Sequence, residues 1–105
     1  MRLEIKKPNH VIIEISGDKI NIERVGKMNI AQHSGQQFKT FGIKNITSME
    51  LKSPSLLSSG LIRFSIPGEG TIRVANIDPK TIQFKKKDYA KILALKKQIE
   101  SIQNQ

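Results

Sequence analysis

The chain has no cysteine and no tryptophan, and its aromatics are one tyrosine and four phenylalanines. Without cysteine there is no disulfide, no thiolate nucleophile and no Cys-ligated zinc. That composition fits a reducing cytoplasm, which is the compartment expected. Acids are also scarce: nine Asp+Glu stand against eighteen Lys+Arg, a net charge of +9. Such an excess favours anionic partners, whether nucleic acid, an anionic membrane or an acidic protein, without choosing among them. No apolar run is long enough for a signal peptide or a bilayer span. The sequon Asn45-Ile46-Thr47 is therefore read as incidental.

Signs of catalysis are missing too. No spacing among the acids resembles a glycosidase pair or a metal-binding pair. No serine stands in a Gly-x-Ser-x-Gly elbow. His10 and His33 lie in separate loops, and a lone histidine cannot build a metal or general-base site. Gly68-Glu69-Gly70 lies between strands with no helix to receive a phosphate, so it reads as a turn. No catalytic residue, metal or cofactor is expected, and the chain is not read as an enzyme.

What is present is one strongly periodic segment. Tyr89, Ile92, Leu95, Ile99 and Ile102 are spaced to stack on one face of a helix. The helix is expected over 86–103 with Asp88 as its N-cap, and Leu93 lies off the stripe. Upstream, short alternating runs cut by Gly and Pro turns predict strands at Val11–Ile15, Ile20–Glu23, Phe38–Lys44, Ile46–Lys52, Leu61–Ile66, Thr71–Ile77 and Thr81–Phe84. Residues 1–10 add a leader or edge strand, broken at Pro8-Asn9. Residues 28–37 show neither period and are read as a long polar loop. At 105 residues the chain is one domain: a leader, a β barrel or sandwich over 11–84, and a capping helix.

Local sequence sharpens this outline. Lys39-Thr40-Phe41-Gly42-Ile43-Lys44-Asn45-Ile46-Thr47-Ser48-Met49-Glu50-Leu51-Lys52, Gly60-Leu61-Ile62-Arg63-Phe64 through Gly68, and Thr81-Ile82-Gln83-Phe84 resemble successive motifs of short bacterial and phage pleckstrin-homology-like domains of unknown function. Gly42 stands where that family usually has Pro, and Lys80 where it usually has Asn. The resemblance covers about residues 11–102. It implies a seven-stranded antiparallel barrel or sandwich capped by the helix, and a binding or scaffolding role without a transferable site. Phosphoinositide-binding members carry a basic cluster in and around the first strand–strand loop. With that loop read as Ser16-Gly17-Asp18-Lys19, which holds a carboxylate, inositol-lipid specificity is not expected.

Two candidate sites remain. Lys85-Lys86-Lys87, with Lys91 a turn further on, sets cations at a helix N-terminus, where free N–H groups also attract anions. The plainer reading is a solvated strand end. Leu56-Leu57, in a Ser-rich loop between Pro54 and Gly60, is either an apolar tip that meets a partner or membrane, or an ordinary loop with one leucine folded inward. Of the aromatics, only Phe38 and Phe41 could stack nucleic-acid bases. The expectation is thus a non-catalytic module that binds an unknown protein partner or self-associates, with an anionic membrane as the alternative and nucleic acid behind both.

Overall fold

A computed structural model describes residues 1–26, 37–69 and 78–105. They form two antiparallel sheets and one C-terminal helix. The first sheet comprises β1 (Arg2–Ile5), β2 (Val11–Ser16), β3 (Lys19–Arg24) and β4 (Phe38–Gly42), in that order. The second comprises β5 (Ser48–Lys52), β6 (Gly60–Ser65) and β7 (Thr81–Phe84), again in order. Alternation fixes the inward face: Val11 and Ile13 on β2, and Ile20 and Ile22 on β3, are buried. Ser16 pairs with Lys19, leaving a two-residue turn. That tight connection requires a positive φ at its first residue, which Gly17 supplies at +60°.

The leader is a full strand, paired with β2 from Arg2–Glu14 to Ile5–Val11. The first strand-to-strand connection is therefore 6–10, carrying Lys6, Lys7 and His10, and not Ser16–Lys19. The long run Phe38–Lys52 also divides earlier than expected. Ile43 is fully buried, and a 3-10 turn at Ile43–Asn45 lifts the chain out of the first ladder before β5 begins. Consequently β4 pairs with β3, and β5 with β6. Among the described residues the two sheets share no ladder, so they are open sheets and not a closed barrel. The strand expected at Thr71–Ile77 lies outside the described residues, as does the loop of 28–37 apart from Gln37.

The helix, α1 (Tyr89–Gln103), follows a 3-10 turn at Lys86–Asp88. Ile92, Leu95, Ile99 and Ile102 are buried in one apolar cluster with residues of both sheets, while Leu93 stays 43% exposed. Burying four such side chains stabilises by about 6–12 kcal/mol gross, an upper bound because unfolded chains already bury part of this area. Both ends of α1 are tied down. Tyr89 stacks on Phe84 with ring centroids 5.8 Å apart, and its hydroxyl lies 3.1 Å from Ser53 Oγ. Gln103 Nε2 donates to the main-chain oxygens of Ile43 and Ile46 at 3.3 and 3.1 Å, closing on the inter-sheet corner. Among the described residues no helix is long and apolar enough to cross a membrane.

Candidate functional site

The β1 edge follows from its register. Met1 and Ile15 exchange main-chain hydrogen bonds, so by antiparallel alternation Leu3–Ile13 and Ile5–Val11 are also hydrogen-bonded pairs. Arg2 and Glu4 fall in the other class, and their N–H and C=O groups point away from β2. Lys91 Nζ confirms the direction by donating to Glu4 O from the α1 side at 3.4 Å. Among the described residues no strand pairs with this outer edge.

Beside that edge runs a groove of about 480 Å³ between β1 and the first turns of α1. Leu3 and Ala94 give it apolar surface, and Arg2, Lys6, Lys87 and Lys91 give it charge. Its two acids are already engaged. Glu4 bonds to His10, and that hydrogen bond holds its carboxyl below the usual range. Asp88 Oδ1 lies 3.2 Å from Lys91 Nζ.

The expected lysine cluster is thus divided. Lys85, Lys86 and Lys87 are all exposed, but only Lys87 joins Lys91 at the groove. The anion nest expected at the helix start is partly consumed by the 3-10 turn, because Asp88 N–H donates to Lys85 O at 3.0 Å. Asp88 occupies the N-cap position, yet its side chain makes no capping hydrogen bond. It is turned inward and buried instead, and Oδ2 has no hydrogen-bond partner among the described residues.

Leu56 and Leu57 are 88% and 98% exposed, so neither folds inward. Ser55 Oγ accepts from the N–H groups of Leu57 and Ser58 at 3.3 and 3.1 Å, holding the tip as a formed turn. The register places this loop at the same end of the second sheet as Lys85. The loop returns to β6 at Gly60, which pairs with Phe84, and Lys85 follows directly. Phe41 is buried and packs on Phe64 at 5.7 Å, which removes it as a base-stacking surface and leaves Phe38, 54% exposed. His33 lies outside the described residues. Among the described residues no group of three His, Cys, Asp or Glu could hold a metal ion.

Sequence reasoning missed a polar cluster between the sheets. Arg24 is buried, and its Nη2 donates to Asp78 O, Pro79 O and Thr81 O at 3.4, 2.7 and 2.9 Å. Burial pushes its guanidinium down to about 10, against the pull of the Asp78 carboxylate. Arg63 Nη1 reaches Glu50 Oε1 at 2.8 Å and its Nε reaches Thr81 Oγ1 at 3.2 Å. Lys39 Nζ holds both oxygens of Glu69 at 2.9 Å, and those bonds lower the Glu69 carboxyl from its ordinary value. One signal was available: Ile20, Ile22 and Arg24 share the inward phase of β3, and a charge in that phase needs partners. The cluster ties the sheets together and is structural.

No family model, curated protein or solved structure matches the chain.

Proposed function

We propose that this chain is a non-catalytic binding module of pleckstrin-homology-like type that takes an extended segment of another protein along the outer edge of β1. The observation that carries this reading is the pair of outward-facing residues, Arg2 and Glu4, bordering a groove walled by α1. Strand addition needs main-chain donors and acceptors that no strand pairs with, plus room for alternate side chains, and among the described residues the outer edge of β1 offers both. Four strands, then three, then a helix in the shared core support the family likeness. We place the module in the cytoplasm on its lack of cysteine.

A random peptide display library selected on the immobilised full chain tests this. Enriched peptides should lose binding to Glu4→Pro, because proline removes an outward N–H and leaves the β1–β2 ladder intact. Enriched peptides that bind Glu4→Pro as well as the parent would refute strand addition. Sedimentation of the chain alone separates a heterologous partner from self-association, since pairing of two copies would appear as dimer growing with concentration.

A second reading, docking on an anionic membrane, is favoured by one specific feature. The Leu56-Leu57 tip stands at the same end of the molecule as Lys52, Lys85 and Lys86, all exposed. An apolar tip with a basic collar suits a negatively charged lipid surface.

A further inference from the structure

We infer that the segment taken up along β1 is acidic, and that Lys91 is the residue that selects for acidity. This rests on the strand-edge reading above and adds the chemistry of the occupant.

The groove carries four cations, Arg2, Lys6, Lys87 and Lys91, against Glu4 and Asp88. Both acids already have basic partners, His10 and Lys91. The unspent charge facing an incoming segment is therefore positive. Side chains alternate on a strand, so Arg2 and Glu4 flank an added strand on one face, with Lys6 just past the end of β1 and Lys87 and Lys91 on the α1 side. An acidic residue at either phase of the incoming strand meets a cation.

Lys91 occupies the decisive place. Its ammonium bridges Glu4 O and Asp88 Oδ1, at 3.4 and 3.2 Å. The first of these is a carbonyl that an added strand must use. A charged side chain over an edge carbonyl is a common guard against indiscriminate pairing. An incoming carboxylate gives the ammonium a new partner as it leaves Glu4 O. A neutral segment leaves it only Asp88 and water, and a basic one is repelled.

The same geometry decides against the other occupants. A phosphodiester backbone offers acceptors only, so it would meet the outward N–H groups of Arg2 and Glu4 but not their carbonyls, whereas a peptide backbone supplies both. A second copy of this chain would bring the same excess of cations to the edge, and like charges disfavour that association.

The test titrates the full chain with a fluorescent, end-capped peptide of alternating Glu and Val, and with versions carrying Gln or Lys in place of Glu. The acidic peptide should bind, slow amide exchange at Arg2 and Glu4, and weaken as salt is raised. The Gln peptide should bind at least about tenfold more weakly than the Glu peptide, the ratio equal to one 1.4 kcal/mol step. The Lys peptide should not bind. Lys91→Gln should bring the Glu and Gln peptides to within about threefold of each other, a gap of under 0.7 kcal/mol by the same conversion. Glu4→Pro should abolish binding, and Arg2→Pro, which removes the other outward N–H, covers the case in which Glu4→Pro fails to fold.

The outcomes separate the two layers. Equal binding of the Glu and Gln peptides with loss in Glu4→Pro overturns acid selection and leaves strand addition standing. Tight binding of the Glu peptide that survives both proline variants overturns strand addition itself. Failure of all three peptides to bind overturns the inference.

Discussion

Arg24 Nη2 lies 2.7 Å from the main-chain oxygen of Pro79 and 2.9 Å from that of Thr81, so one guanidinium at the end of β3 ties down the entry to β7. Removing it takes a donor from the carbonyls of Pro79 and Thr81, while Asp78 O keeps the Thr81 N–H at 3.1 Å and the Asp78 carboxylate keeps Lys80 and Arg63 at 3.5 and 3.7 Å. Arg24→Ala should cost about 1.5–3 kcal/mol, the range for hydrogen bonds made by a charged group. Against a total of about 5–15 kcal/mol for a domain of this size, that is a large share. Arg24→Lys should cost less, since it keeps the charge and part of the bonding. Urea melts of the two variants check this, and equal stabilities for Arg24→Ala and parent would show the clasp to be dispensable.

Gly60 has no space for a methyl group. A Cβ there would sit 2.5 Å from Lys52 O, 2.8 Å from Pro54 N and 2.9 Å from Phe84 Cε2. Two of those atoms are main chain and the third is on a fully buried ring, so none yields easily. Gly60→Ala should destabilise by about 1–3 kcal/mol, the range for overpacking. Thermal midpoints read it directly.

The two aliphatic classes on α1 predict opposite results. Ile99 is fully buried, and Ile99→Ala should cost about 2–5 kcal/mol. Leu93 is largely outside the core, and Leu93→Ala should stay within about 0.5 kcal/mol of the parent. Comparable losses at both positions would mean that α1 does not bury the face described.

Stability should fall at acid pH. The bonds from Lys39 hold the folded-state Glu69 carboxyl below its ordinary 4.5. A depressed carboxyl contributes stability that is present above the unfolded value and lost as pH falls through the folded one. The melting temperature should therefore decline below about pH 4.5 in low salt, and Glu69→Gln should flatten that decline. An unchanged pH profile in Glu69→Gln would remove Glu69 from the explanation.

The membrane reading has its own signature. Leu56→Ser with Leu57→Ser should leave stability within about 0.5 kcal/mol, because neither side chain is packed. The same change should weaken sedimentation with vesicles containing phosphatidylserine, and phosphatidylcholine vesicles should bind neither form. Unaltered binding to anionic vesicles in the double variant would remove the tip from any membrane role.

Some of this was legible in the chain and some could not be. The face of α1 could be read because its period has no competitor nearby, and the burial of Ile92, Leu95, Ile99 and Ile102 follows it. The leader was expected at the margin but is fully paired, since Leu3 and Ile5 carry the inward phase despite their basic surroundings. The corner at Ile43–Asn45 was hidden because its residues continue the apolar spacing of β4 until one buried isoleucine turns the chain. Lys85, Lys86 and Lys87 looked like one cluster because they are adjacent, yet only the folded chain shows that Lys87 faces β1 with Lys91. Nothing local to Arg2 or Glu4 signals an edge that no described strand covers, because that property belongs to the sheet order.

The crowding around Gly60 and the bare tip of Leu56-Leu57 sit a few residues apart under opposite evolutionary pressures. As lineages carrying this fold drift, position 60 must remain glycine for the monomer's own sake. Positions 56 and 57 owe the monomer nothing and would wander toward polar residues if selection ignored them. Two greasy side chains kept side by side there across divergent descendants would be the imprint of something outside the molecule.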